Sequence, residues 1–218
     1  MRLTAIALAV IVMGAVTNVA AQTTGPQFGL KLGPTFSNLS IDPEDPDAAT
    51  GMRWGIGGGG FLVLPMTPRI SLQFEGLFVP KGSQTEGEEG TEFEGLEGHV
   101  ALDYLEFPVL LRIDGPRTGR QSFHAFAGPS LGYNTSARNE LVVQGELFDN
   151  GVSDNIRDQI HYFELGLVVG AGVEFGRYFI ADARYAWGLT NVNNVEDDDT
   201  VVKNRAFTVL AGIRFGRR

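Results

Sequence analysis

In eight separate stretches of this chain, every second position holds an apolar or aromatic residue, and the positions between hold Gly, small polar or charged residues. In 163–175, FELGLVVGAGVEF, one face carries Phe163, Leu165, Leu167, Val169, Ala171, Val173 and Phe175. The other carries Glu164, Gly166, Val168, Gly170, Gly172 and Glu174. Successive side chains of a strand point to opposite faces, so this pattern predicts a sheet with one oily and one polar side. The oily side must meet either a protein core or lipid, and that choice constrains the function.

The N-terminal residues favour lipid. Met1-Arg2 is a basic start, Ala5 to Val16 is an apolar run, and Val19-Ala20-Ala21 supplies small residues at a cleavage point. The run is too short to span a bilayer as a helix. The expected organisation is a cleaved signal peptide over 1–21 and one barrel domain over 22–218. The chain has no Cys and three His. Disulfides, thiolate catalysis, Cys-based zinc sites and His-rich metal centres are therefore excluded. Gly is frequent, at 29 residues, and recurs inside the strands, where it packs nothing in an ordinary sandwich.

The expected strands are 27–37, 52–64, 69–79, 100–113, 121–133, 161–175, 178–189 and 204–216. Each is long for a soluble sheet and suits a tilted strand crossing a bilayer. Short connections (65–68, 114–120, 176–177) alternate with long ones (38–51, 80–99, 134–160, 190–203). Charge follows length. Acids such as Asp45, Glu88, Glu92, Asp149 and Asp198 crowd the long connections, against only Lys81, Arg138, Arg157 and Lys203. The short turns and C-terminus hold Arg69, Arg117, Arg120, Arg177, Arg217 and Arg218. The expected fold class is all-β, an eight-stranded antiparallel up-and-down transmembrane barrel. Its short turns and both termini are expected in the periplasm and its long acidic loops outside.

Aromatics mark two levels on the oily face. Phe36, Trp54, Phe78, Tyr133, Phe163, Trp187 and Phe207 lie at the long-loop ends of the strands. Phe28, Phe123, Phe175, Phe179 and Phe215 lie at the opposite ends. Two aromatic rings flanking a band of Leu, Val, Ile and Ala are expected to form an interfacial girdle.

The polar face is expected to line the lumen. It collects Lys31, Arg53, Arg112, Arg184 and Arg214 against Glu75, Glu106, Glu164, Glu174 and Asp182, with Gln73, Tyr104, His124 and Ser130 among them. An eight-stranded barrel is just wide enough for side chains to fill. Unpaired charge there costs several kcal/mol per ion, so the two signs are expected to pair and plug the barrel. Inward Gly residues make room for the long side chains. Pro34, Pro108 and Pro129 predict local bulges or lost ladder bonds.

Four segments carry a family resemblance: FGLKLGPTFSNL (28–39), LDYLEFPVLLR (102–112), HAFAGPSLGY (124–133) and FTVLAGIRFG (207–216). YLEFPVLLR is the most specific of them. Together they resemble the PorT-type outer membrane β-barrel family over essentially the whole mature chain. The resemblance implies an eight-stranded barrel in a Gram-negative outer membrane, in a family some of whose members are linked to protein secretion. It implies no catalytic residue. The usual aromatic last residue of such barrels is displaced here, since Phe215 is followed by Gly216-Arg217-Arg218.

The expected function is a non-enzymatic outer membrane barrel with a structural, adhesive or accessory role. The alternatives are a narrow solute channel, a lipid-modifying enzyme, and a soluble lipocalin-like carrier. No cofactor is implied. His124 and Ser130 stand six residues apart on one strand, about 20 Å by strand rise, too far to form a nucleophile–base pair. Asp197, Asp198 and Asp199 offer a weak calcium site that lacks the spacing of a defined calcium loop. Outer membrane lipid, lipopolysaccharide and an envelope protein are the expected partners, with divalent cations at the acidic loops. A net charge of −9 disfavours nucleic acid.

Overall fold

Eight strands pair in chain order and then close on themselves. The computed structural model describes residues 25–42, 51–86, 96–143, 146–147, 154–195 and 200–216. The wall is β1 (Gln27–Asp42), β2 (Arg53–Pro65), β3 (Ile70–Glu86), β4 (Leu96–Thr118), β5 (Gln121–Val143), β6 (Phe163–Phe175), β7 (Phe179–Gly188) and β8 (Val201–Gly216). Each is antiparallel to its neighbours, and β1 meets β8 from Gln27↔Gly216 to Asp42↔Val201. Closure joins the first strand to the last, so the sheet has no free edge strand, which hydrocarbon demands.

The alternation resolves with the oily side outward. Leu30, Leu32, Trp54, Ile56, Phe163 and Leu165 are all exposed, whereas Lys31, Glu75, Arg112, Glu164, Glu174, Asp182 and Arg184 are buried. That inverts the order of a lipocalin-like carrier. In water, an apolar belt around the full girth would far exceed the patches tolerated by a soluble monomer.

On the long-connection side β1, β3, β4, β5 and β8 run further than alternation predicts, whereas β2, β6 and β7 do not. β1 reaches Asp42, β3 reaches Glu86, β4 starts at Leu96, β5 reaches Val143 and β8 starts at Val201. Beyond the outer aromatics neither face meets lipid, so the two-residue hydrophobic period disappears while backbone pairing continues. Two short pieces, Glu146–Leu147 and Asp154–Asn155, add to the upper edge of β5.

The prolines remove ladder bonds without shifting register. Pairing of β1 with β8 skips from Leu32↔Ala211 to Thr35↔Thr208 past Pro34. Pairing of β3 with β4 skips from Phe74↔Val109 to Leu77↔Glu106 past Pro108, and Pro129 keeps its position opposite Leu167. The register shifts lie elsewhere in β4, at Asp103/Tyr104 and Asp114/Arg117.

The tip of β3 parts from β2 while staying paired with β4 as far as Glu86↔Glu97. Five consecutive residues, Val79 to Ser83, are buried. Regular β2–β3 pairing stops at Gly58↔Phe78 and returns only as the single bridge Gly51↔Gln84, one residue out of step. Pro80, without an N–H, cannot continue the ladder. Two inward-facing side chains take the freed carbonyls. Ser37 Oγ donates to Gly82 O at 3.1 Å and Arg53 Nη1 donates to Lys81 O at 2.7 Å. The β3 tip therefore crosses the inner faces of β1 and β2, over the outer mouth.

Candidate functional site

Inward-facing charges fall into three layers along the lumen. Nearest the short turns, the Arg112 guanidinium donates to Asp114 Oδ1 from Nε (3.1 Å) and Nη2 (2.8 Å), to Gln73 Oε1 at 3.2 Å, and to Glu174. Arg214 Nη2 lies 3.3 Å from Glu174 Oε2, and its Nη1 donates to Gln27 at 3.0 Å. In the middle layer Lys31 Nζ lies 2.7 Å from Glu75 and 2.9 Å from Asp182. Arg184 bonds the same two carboxylates, reaching Asp182 at 2.8 Å. Gln73 links the two layers by donating to Glu75.

In the outer layer Lys81 Nζ sits 2.6 Å from Glu106 and 2.9 Å from Glu164, over the Tyr104 ring at 4.9 Å. Asn204 Nδ2 donates to Glu164 at 3.2 Å. The two layers nearer the short turns balance, Arg112 and Arg214 against Asp114 and Glu174, Lys31 and Arg184 against Glu75 and Asp182, while in the outer layer Lys81 alone bridges Glu106 and Glu164. A buried ion is tolerable only with this pairing and hydrogen bonding.

Apolar side chains fill the remaining space, among them Phe61, Val63 and Ile180, then Leu110, Phe126 and Val168, then Leu77, Val79 and Leu210. Phe61 and Phe126 stack under Lys31 and Arg184, at 5.3 and 5.0 Å. The inward glycines leave the room this filling needs. A methyl group at Gly188 would collide with the Glu164 carboxylate, and one at Gly172 with the His124 ring. A mid-lumen cavity beside Thr35, Glu106 and Arg184 measures about 10 Å³, room for about one water molecule.

The two mouths differ. Above the outer layer, Leu39, Leu102, Tyr104 and Ala137 form a buried apolar cluster backed by Ile156, Ile160 and Val202. At the short-turn end a cup of about 350 Å³ opens between the β2–β3 and β4–β5 turns, lined by Gln27, Arg69, Ser71, Asp114, Arg117 and Ser122 among others.

Arg53 is the exception within the expected charge set. It is half-buried and bonds a backbone carbonyl rather than a carboxylate. Lys81 and Asp114, expected in connections, belong to the network instead. Their signal was parity: Lys81 continues the inward series Gln73, Glu75, Leu77, Val79, and Asp114 continues Glu106, Leu110, Arg112. Asp114, His124 and Glu174 also bring ligand-type atoms within 4.8 Å of one another. Arg112 and Arg214 already neutralise both carboxylates, so a dication would add uncompensated charge there.

Of the expected girdle, Phe28, Trp54, Phe123, Phe163 and Phe179 stand well clear of the wall, and Phe36, Phe78, Phe175, Trp187, Phe207 and Phe215 are also exposed. Tyr133 is half-buried against Phe163, ring centroids 5.4 Å apart. Phe28 meets Phe215 across the closing seam at 5.8 Å. Asp197, Asp198 and Asp199 lie outside the described residues.

The family model of the outer membrane protein beta-barrel domain matches residues 20–194. The chain belongs to that family. This outer membrane barrel matches no curated protein. Among solved structures it is similar to Ail, the attachment invasion locus protein of Yersinia pestis, at 16% identity, covering 88% of this chain and 99% of that one, TM-score 0.39. It is similar to the outer membrane protein OprG from Pseudomonas aeruginosa at 10% identity, covering 88% and 97%, TM-score 0.46. Neisserial surface protein A follows at 14% identity, covering 87% and 96%, TM-score 0.43. Likenesses this distant say nothing about the barrel's activity.

Proposed function

We propose that this is a non-enzymatic, non-conducting barrel of a Gram-negative outer membrane, plugged by its own side chains. Its short turns and termini face the periplasm. Its work is structural, adhesive or accessory to envelope or secretion machinery, done by its acidic outer surface; the PorT-like segments favour the secretion link. Outer membrane lipid, lipopolysaccharide and an envelope protein are its partners, with divalent cations screening the outer acids and nucleic acid excluded by charge.

One observation carries the reading: three layers of paired charges, separated by packed apolar side chains, stand across the lumen beneath the crossing tip of β3. A solute would have to break paired buried ions, at several kcal/mol each, to pass. His124 and Ser130, six residues apart on β5, offer no nucleophile–base contact.

Planar-bilayer recording tests this directly. The purified chain, heat-modifiable in gel mobility, should give no step currents. Currents altered by Arg112→Ala or Glu106→Gln would instead establish a narrow channel. Lipid A mass spectra should be the same with and without the protein; a new species would establish a lipid-modifying enzyme.

A further inference from the structure

The short-turn end of the barrel is basic. Its turns carry Arg69, Arg117, Arg120 and Arg177 against one acid, Asp114, which is already held by Arg112. Two of these arginines, Arg69 and Arg117, line the cup of about 350 Å³ at the lumen mouth.

The fold aims both of them at the barrel axis. Ile70 pairs with Ile113, and Asp114 N–H donates to Arg69 O at 2.8 Å, so Arg69 stands opposite Asp114 on the lumen face. Thr67 Oγ1 accepts from Arg69 N at 3.3 Å and from Ile70 N at 3.0 Å, which fixes the turn that carries it. Arg117 arrives by an irregularity. In unbroken alternation it would share the lipid face of Leu111 and Ile113. Between Asp114↔His124 and Arg117↔Ser122, however, β4 has two residues, Gly115 and Pro116, where β5 has only Phe123. This bulge reverses the parity. Directly opposed residues share a face, so Arg117 joins buried Ser122 on the inner side.

Neither guanidinium meets a carboxylate among the described residues. Arg117 makes one bond to a neutral carbonyl, from Nη2 to Gly176 O at 3.3 Å. Like charges repel, and a cleft lined by one sign of charge concentrates the opposite ion. Gln27, Ser71 and Ser122, all buried, form the floor, with the paired charges of Arg112 and Arg214 behind them. A group that enters is held there, because the lumen beyond is filled. The positive field continues past the cup. Gly176 N donates to Arg120 O at 2.7 Å, which brings the β6–β7 turn and Arg177 beside the β4–β5 turn. A basic surface longer than one small anion suits an extended chain with several carboxylates. Lipid headgroups flank the outward face, where Phe28, Phe123 and Phe179 stand, rather than the lumen mouth.

We propose that this cup receives an acidic peptide segment of a periplasmic envelope protein. One carboxylate sits between the Arg69 and Arg117 guanidiniums, over the Ser71 and Ser122 hydroxyls, and further carboxylates meet Arg120 and Arg177 on the rim. Guanidinium–carboxylate bonds are strong and geometrically matched. The proposal rests on the reading that the short turns face the periplasm.

Fluorescence anisotropy of the folded full chain in zwitterionic detergent tests it, with labelled hexaglutamate and hexaglutamine peptides at low ionic strength. Hexaglutamate should bind about tenfold more tightly than hexaglutamine. Arg69→Gln/Arg117→Gln should abolish that preference, while Lys203→Gln/Arg205→Gln at the acidic end, an equal change of charge, should leave it intact. Arg120→Gln/Arg177→Gln should weaken it by a smaller factor. Heat-modifiable mobility reports folding, and Arg117→Gln alone, which should also weaken the preference, carries the test should the cup pair fail to fold. Equal binding of the two peptides, an unaffected cup variant, or equal losses from the cup and rim pairs would overturn the site. Inorganic phosphate or glycerol 3-phosphate displacing hexaglutamate at matching concentration would make it a small-anion site and overturn the peptide assignment. A membrane-impermeant maleimide should leave Thr118→Cys unlabelled on intact cells. Labelling there would reverse the orientation and overturn the periplasmic partner, while the peptide site itself would stand.

Discussion

Arg112 is 1% exposed and touches Asp114, Glu174 and Gln73 at once. Removing it takes one guanidinium away from two carboxylates at once, although Arg214 stays beside Glu174. Arg112→Ala should cost about 3–5 kcal/mol, measured by urea unfolding in lipid vesicles. Lys31→Met should cost clearly less, because Arg184 still binds both Glu75 and Asp182. At this scale the sequence is legible through parity. Inward position follows from alternation wherever it persists, which is why Glu75, Arg112 and Asp182 could be named in advance. Partner choice is not legible, because it depends on the stagger between strands far apart in the chain. Lys81 was obscured by Pro80 and by the acids that follow it. By parity Arg53 reads as a lumen charge, although its contact is a backbone carbonyl on a strand tip that no local pattern signals.

Among the elements, strand number and order are written in the alternation, but strand ends are not. The two-residue period reports contact with lipid, so it stops where lipid stops, although β4 and β5 go on pairing to Leu96↔Val143. At the other end the β4–β5 hairpin closes tightly, with Thr118↔Gln121 around Gly119-Arg120. Gly119 has φ +60° and open space around its α-carbon, so conformation rather than crowding selects glycine. Gly119→Ala should lower stability by about 1–2 kcal/mol, the cost of a left-handed L-residue. Gly119→Asn should recover part of that loss, and unfolding midpoints of the two variants in one lipid check both.

For the whole molecule, the inside-out distribution of polarity makes the sharpest forecast. Val169 is an exposed residue at the middle of β6. Val169→Arg should destabilise the barrel by about 2–4 kcal/mol in a bilayer, as charge on a lipid face does at the midplane. A soluble barrel would tolerate the same change on its surface, so unchanged unfolding in vesicles would deny the oily exterior its lipid. This inversion was readable from residue types alone: an outer surface gains nothing from the missing side chains of Gly29, Gly33 and Gly170, whereas a crowded interior does.

The crossing tip of β3 has a consequence in time. Ser37 and Arg53 reach the Lys81–Gly82 backbone from the inner sides of their strands, so the outer end of β2 can settle only after the β3 tip is already in place behind it. Trp54 sits on that end and Trp187 sits on β7. In single-tryptophan variants refolding into vesicles, Trp54 emission should reach its final value after Trp187 has done so. Simultaneous arrival would mean that the barrel closes in one concerted act.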